Sequence, residues 1–185
     1  SRCGGPAGAR PGLGGLVVTR LIAGPDGRTA GGLSITSMGV SPPPLVDCFA
    51  LSFATADTRV VFSGDTCYLP TLADFAQGAD LLIHEAMLHA ALAPLVARVG
   101  NGDDRLMQHL LRSHTTAEDA AQIATAAGVK ALALHHLLPS ADPAFTVAAW
   151  HAALAPHWRG PLPVGTDRCV TRLPTGLHRA RFAAG

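Results

Sequence analysis

The sequence predicts an α/β fold in which a mixed β-sheet carries helices on one face. In the first half of the chain, short segments rich in β-branched and aromatic residues are separated by turn residues, which is typical of antiparallel strands. In the second half, apolar segments of strand length alternate with helical patterns, which is typical of parallel strands joined by helices. Together these two patterns predict one sheet with an antiparallel and a parallel part.

The first half of the chain supplies the antiparallel elements. Residues 1–14 are rich in Gly, Pro and Arg and form an irregular lead-in to one domain over residues 15–185. The segments GLVVTRLIA and LSITSMGV predict a hairpin with its turn at residues 25–27, and the prolines of residues 41–44 end it. CFALSF and VVFS then predict a second antiparallel pair.

Helices and buried strands alternate in the second half. TLADFAQ predicts a short helix, DLLIHEA a strand, residues 86–97 a helix and residues 100–103 a loop. The strongest helix signal is the capping-box spacing of residues 115–118, with Gly128 placed to end the helix. VKALAL predicts another strand, residues 142–143 open a further helix, and the tail holds two or three short strands.

Composition excludes several classes of protein. The 185 residues are 48% hydrophobic and 15% charged, so the chain is one domain, or part of one, with its own core. A net charge of +1 and a single lysine provide no broad field for nucleic acid or for an anionic membrane. No apolar run is long enough to span a bilayer, and no G-x-S-x-G elbow of a serine hydrolase is present. We therefore expect a cytoplasmic protein with no membrane partner.

Three of the predicted apolar strands lead into the same kind of polar residue. These are Asp65 after VVFSG, His84 and Glu85 after DLLI, and His135 and His136 after KALAL. Parallel neighbours place such ends on one rim of a sheet, and His114 joins them from the start of the best-capped helix. Carboxylate and imidazole groups together suit zinc or a related metal. At any single strand end, a surface turn remains the alternative, since Gly-Asp is common turn chemistry.

The motifs around these residues carry a family resemblance. FSGDT, GADLLIHEAM and SHTTAEDAAQIATAAGVKALALHHLLP resemble the later part of the metallo-β-lactamase-fold hydrolases, from about residue 33 to about residue 173. The most similar subgroup contains ribonuclease Z, the tRNA 3′-processing endonuclease, and the arylsulfatase-like enzymes. The resemblance implies the αββα sandwich of that family, of which this chain is the C-terminal part.

The resemblance also implies roles for individual residues. Asp65 matches the aspartate that bridges two zinc ions, and His136 matches a histidine that completes the ligands of the second ion. Glu85 and His114 match a pair that transfers a proton to the leaving group. His135 falls where the family has Thr or Ser, so it is not assigned to metal. The structural alternatives are a surface carboxylate for Glu85 and a helix-cap neighbour for His114.

Part of the family's ligand set is missing from this sequence. The His-x-His-x-Asp-His motif is absent, and no histidine precedes His84. A further ligand position of the family is occupied here by Pro42, whose side chain cannot bind metal. We therefore expect this chain to supply only some of the ligands for two zinc ions.

These observations predict a metal-dependent hydrolase that cleaves a phosphodiester, sulfate ester or carboxylic ester with a metal-activated hydroxide, from an incomplete site. The alternative is a non-catalytic binding or association module that keeps the fold and a residual metal site. The low charge predicts a small-molecule ester as substrate in preference to tRNA. A half-sandwich leaves one sheet face uncovered, which predicts either a homodimer or a complementary N-terminal segment.

Overall fold

A computed structural model of the chain describes residues 27–45, 47–140, 142–165, 170–172 and 181–182. The predicted lead-in and the segment GLVVTRLIA lie outside the described residues. The strands are β1 (Gly27–Ala30), β2 (Leu33–Val40), β3 (Cys48–Ala54), β4 (Arg59–Phe62), β5 (Leu81–Met87), β6 (Leu132–Leu138), β7 (Thr171–Arg172) and β8 (Arg181–Phe182). The helices are α1 (Leu72–Phe75), α2 (His89–Val99), α3 (Arg105–Ser113), α4 (Ala117–Ala127) and α5 (Val147–Leu154).

The main sheet has six strands in the order of the sequence, from β1 to β6. Strands β1 to β4 pair antiparallel, whereas β4, β5 and β6 pair parallel. Strands β7 and β8 form a separate antiparallel pair. This arrangement confirms the predicted mixed sheet, with its antiparallel part first and its parallel part second.

The first hairpin turns at a different place from the one predicted. Strand β1 begins at Gly27, and the chain reverses at Gly31 and Gly32, whose φ angles are +57° and +79°. Two successive residues with positive φ match the right-handed twist of the flanking strands, and glycine adopts them without steric cost. Of the predicted turn at residues 25–27, only Gly27 lies within the described residues, and it is the first residue of β1.

Helix α4 has the signals that the sequence predicted, displaced by one residue at its start. Thr116 is the N-cap, and its hydroxyl oxygen accepts from the backbone N–H of Asp119 at 3.1 Å. Gly128 ends the helix in the left-handed conformation, with φ +62° and ψ +34°. These two caps place the start of α4 directly after His114 and Thr115.

The segment between β5 and α4 holds two helices, of which the sequence predicted one. Strand β5 continues to Met87, so α2 begins at His89 rather than at residue 86. Helix α3 was not predicted, because its apolar residues form only a narrow stripe among polar ones. That stripe packs on α2 in a small cluster around Met87, Leu92 and Leu110.

The two faces of the main sheet differ in burial. One face packs with α1, α4 and α5 in the main core, which includes the buried sheet residues Val61, Leu82, Leu132 and Leu134. The other face carries a row of half-buried apolar residues in register across four strands, namely Leu51, Phe62, Ile83 and Ala133. The homodimer or N-terminal segment expected to cover this face stays a prediction.

Candidate active site

The loop that carries Asp65 depends on the glycine before it. Gly64 has φ +62°, and a Cβ at this position would lie 2.7 Å from the carbonyl oxygen of Phe49. Only glycine fits both the conformation and the space, so the chain can turn sharply after β4. The turn places Asp65 beyond the carboxyl end of β4, with 45% of its side chain exposed. This is the rim position that the sequence predicted.

His136 reaches the same rim through a β-bulge in β6. Glu85 pairs with His135 and Ala86 pairs with Leu137, so His136 is the extra residue on its strand. Its φ of +46° is the only positive value for a non-glycine residue among those the structure describes. Such a conformation is costly, and it is typical of functional sites. The bulge brings His136 Nδ1 to 3.3 Å from Asp65 Oδ1.

Glu85 lies within β5 with no solvent exposure, and two loops bind its carboxylate. Its Oε1 accepts from the backbone N–H of Thr115 at 2.8 Å and from that of Thr66 at 3.4 Å. Its Oε2 lies 3.2 Å from Nδ1 of His114, whose side chain is 12% exposed. The carboxylate therefore holds the imidazole in one orientation, with its Nε2 left free.

Burial and the contact between Glu85 and His114 shift the pKa of both groups. Burial raises the pKa of Glu85, and its hydrogen bonds with His114 and with Thr115 oppose that rise. The hydrogen bond with Glu85 raises the pKa of His114, against the effect of burial, and the charges of Glu85 and Asp65 raise it further. His114 therefore keeps its second proton at a higher pH than a free histidine does.

Asp65, His114 and His136 form the one cluster of metal-binding side chains found among the described residues. One ligand atom from each lies within 4.8 Å of the others. Since zinc binds nitrogen and carboxylate oxygen at about 2.0–2.2 Å, a small side-chain movement brings all three onto one ion. Carboxylate and imidazole are the donors that such a metal prefers, so these residues fit it.

The structure separates His84 from Glu85, which the sequence placed together at one rim. His84 is fully buried, and its Nδ1 lies 2.6 Å from the carbonyl oxygen of Glu85. Burial lowers the pKa of His84 to about 4. Burial, together with the charge of His136, lowers the pKa of His135 against the opposing charge of Asp65. Successive strand residues point to opposite faces, which is why His84 and Glu85 do not share one site. His135 pairs in register with Glu85.

The residues that support Glu85 were not singled out from the sequence. Ser63 accepts the backbone N–H of Glu85 at 3.0 Å, and the hydroxyl of Thr115 donates to the carbonyl of Thr66 at 2.8 Å. The second bond joins the Asp65 loop to the His114 loop. Their only signal in the sequence is their position inside the motifs FSGDT and SHTT.

Curated proteins resemble this chain over different lengths. A ribonuclease Z from Myxococcus xanthus (strain DK1622) is 30% identical over 172 residues, which cover 89% of this chain and 50% of that protein. A ribonuclease Z from Brevibacillus brevis is 42% identical over 81 residues, covering 44% of this chain and 21% of that protein. The chain thus spans half or less of the length of these relatives. No protein-family model matches the sequence.

Solved structures share the fold. The metallo-β-lactamase fold protein YhfI from Bacillus subtilis matches with a TM-score of 0.57 and 24% identity, over 77% of this chain and 50% of that one. These likenesses in sequence and fold support the metallo-β-lactamase superfamily. In sequence the chain is ribonuclease Z-like, and this resemblance supports a hydrolase. Zn²⁺-bound PqqB from Methylobacterium extorquens has the same fold, with a TM-score of 0.52 and 17% identity over 79% of this chain and 52% of that one. The predicted fold class is thereby confirmed.

The substrate predicted from composition is wrong. The relatives are named ribonuclease Z, which contradicts the preference for a small-molecule ester over tRNA. The physical reason is that net charge averages over the whole surface, whereas phosphate contacts need only a few cationic groups near the site.

Other expectations from the sequence concern membrane contact, location, domain bounds and the roles of individual residues. None of the helices in the described part of the chain has the length and apolar character needed to cross a bilayer. The arylsulfatase-like assignment, the cytoplasmic location, the division into residues 1–14 and 15–185, and the individual residue roles stay predictions.

Proposed function

We propose that this chain provides one rim of the reaction centre of a metal-dependent phosphodiesterase that acts on RNA. The name of its relatives suggests the 3′ end of a precursor tRNA as the substrate. One observation carries the proposal: the adjacent side chains of Asp65 and His136 lie beside a His114 whose Nδ1 is bonded to a buried Glu85.

Asp65 and His136 are the residues that would hold metal, and zinc is the ion that suits them. When bound, a divalent zinc ion lowers the pKa of a water molecule and polarises the phosphoryl oxygen. His114 offers only its Nε2 to the cluster, because Nδ1 is bonded to Glu85. Its raised pKa keeps a proton on that nitrogen, which favours a donor over a metal ligand.

The same geometry supports proton donation to the leaving oxygen. Nδ1–H of His114 donates to the buried carboxylate of Glu85, which fixes the plane of the ring. The protonated Nε2 then points a second proton toward the rim, where the RNA oxygen leaves as a hydroxyl group. The backbone N–H groups of Thr115 and Thr66 hold Glu85 in place during this transfer.

Even with His114 counted, the cluster found among the described residues offers three groups to a metal, which is fewer than two zinc ions require. We propose that further ligands come from a histidine-rich segment such as the His-x-His-x-Asp-His motif, which this sequence does not contain. The same shortage of ligands favours a second candidate function, a binding module with a residual metal site.

A cleavage assay separates the two functions. The 185-residue chain is incubated with Zn²⁺ and a tRNA transcript carrying a labelled 3′ extension, with and without a peptide that contains a histidine-rich metal motif. We expect release of the 3′ extension. The rate of release should fall by about 100-fold or more in Asp65→Ala and in His114→Ala. His157→Ala is the matched control, because His157 is exposed beyond α5. Zinc binding through Asp65 without cleavage under either condition would support the binding module instead.

A further inference from the structure

Helix α3 carries an exposed polar face that ends at the candidate active site. Arg105, Gln108, His109 and Arg112 are all exposed and follow the spacing of one helix face. The opposite face packs on α2 through Leu106, Met107 and Leu110. At 1.5 Å per residue, the polar face is about 10 Å long, enough for more than one contact with a nucleic-acid strand.

The polar face adjoins the proton-donor side of the site. His114 is the C-cap of α3, and its backbone N–H donates to the carbonyl of Leu110 at 3.1 Å. The ring of His109 stands edge-on to that of His114, with 6.5 Å between their centroids. Since His114 faces the leaving oxygen in the proposed function, the group attached to that oxygen extends toward His109.

Hydrogen bonding determines which nitrogen of His109 is free to bind a partner. The hydroxyl of Ser113 donates its only hydrogen to the carbonyl of Pro43, at 2.6 Å. It can therefore only accept from Nδ1 of His109, which lies 3.3 Å away. His109 thus carries a hydrogen on Nδ1 and keeps its Nε2 for a ligand.

The start of α3 borders an open cavity of about 450 Å³, lined by residues that include Asn101, Arg105, Leu106 and His109. This volume lies within the range of small-ligand sites. An apolar side chain and an amide in the same cavity suit the face and the edge of a nucleobase.

Charge along α3 is concentrated at its C-terminal end. Arg105 is paired with Asp103, and Arg98 of α2 is paired with Asp142. No ion pair of Arg112 is found within the described part of the chain, and this residue lies two positions before His114. A phosphate that approaches the site from this side meets Arg112 without competition from a carboxylate.

We propose that the polar face of α3 binds the RNA strand attached to the leaving oxygen, with Arg112 as its principal phosphate contact. The proposal rests on the proposed function, because it takes the position of the leaving group from His114. Arg112 also lies in the last turn of its helix, where a cation stabilises the helix dipole. The test must separate the two roles.

The test measures binding of a fluorescein-labelled 12-nucleotide single-stranded RNA to the full 185-residue chain by anisotropy. EDTA is present, so that neither metal nor cleavage contributes. We expect Arg112→Gln to weaken binding several-fold at low salt. It should also reduce the slope of log K against log[salt] by about 0.7, the loss of one phosphate contact to a single strand. Arg112→Lys should retain the slope, and His109→Gln should weaken binding with the slope unchanged.

Arg159→Gln is the matched control. Arg159 is exposed and follows α5, a helix that packs on α4. An equal loss of slope in Arg159→Gln, an unchanged slope in Arg112→Gln, or no RNA binding by the wild-type chain would overturn the proposal. A destabilised helix alone would lower the melting temperature of Arg112→Gln without changing the salt slope.

The binding and cleavage assays together separate this proposal from the proposed function. Cleavage of the tRNA transcript together with RNA binding that does not depend on Arg112 would overturn the RNA-binding role of α3 and leave the proposed function standing. RNA binding that depends on Arg112, without cleavage, would support the RNA-binding role of α3 and contradict the proposed function.

Discussion

Nδ1 of His114 lies 3.2 Å from Oε2 of Glu85, a carboxylate with no exposure to solvent. Backbone N–H groups from the Asp65 loop and from the His114 loop bind the other oxygen of the same carboxylate. A group fixed by three donors from two loops cannot rotate freely, so the orientation of His114 is set before any substrate binds. Preorganisation of this kind is what a proton donor requires.

The first prediction concerns the pKa of His114. In Glu85→Gln, the neutral amide can accept the Nδ1 hydrogen but cannot stabilise the imidazolium charge. We expect the pKa of His114 to fall, because a buried opposite charge is removed. Histidine NMR titration of the metal-free chain measures this value. Asp57→Asn, in an exposed turn, is the control. A His114 pKa that is the same in Glu85→Gln and in wild type would contradict the pairing.

The second prediction concerns metal affinity. Asp65→Ala and His136→Ala should each weaken zinc binding by about tenfold or more, because each removes a direct ligand. His114→Ala should weaken it less, since the proton on its Nε2 disfavours coordination. Calorimetric titration with Zn²⁺ measures all three variants, with His157→Ala as control. Equal losses in the three variants would place His114 among the ligands.

The third prediction tests the turn that delivers Asp65. Gly64→Ala puts a methyl group 2.7 Å from the carbonyl oxygen of Phe49, at a position with φ +62°. The left-handed conformation alone costs a non-glycine residue about 1–2 kcal/mol, and the steric contact adds to this. We expect the free energy of unfolding to fall by about 2 kcal/mol or more. Gly39→Ala is the control, because its Cβ would meet no atom within 4 Å. Similar denaturant midpoints for the two variants would show that the turn tolerates a side chain.

The fourth prediction concerns pH and His84. The pKa of this buried histidine is about 4 in the folded protein, against an ordinary value of 6.5. Between these values the unfolded chain binds the proton that the folded chain excludes, so stability falls as the pH is lowered from 6.5 to 4. The contribution of His84 to this loss reaches at most about 3 kcal/mol. Urea unfolding of wild type and His84→Leu at pH 7, 6 and 5 measures it. We expect the difference in unfolding free energy between the two proteins to shift in favour of His84→Leu as the pH falls. A difference that is constant with pH would contradict the buried neutral imidazole.

The mixed sheet and the three strands that lead to the rim could be recognised from the amino-acid sequence alone. Hydrophobic periodicity reports burial, and burial follows directly from side-chain chemistry, so VVFSG, DLLI and KALAL were recognisable without coordinates. The motifs around Asp65, Glu85, His114 and His136 indicated the superfamily through their resemblance to its members. Each motif is local, and its residues act together over a few positions.

Which polar residues share a site depended on the tertiary fold. His84 and Glu85 are neighbours in sequence and both are buried. Nε2 of His84 has no hydrogen-bond partner among the described residues, whereas Glu85 accepts three hydrogen bonds beside His114. Likewise, the bulge that projects His136 toward Asp65 depends on the register between β5 and β6. Register and strand face are set by pairing between distant segments, and local sequence carries no direct record of that pairing.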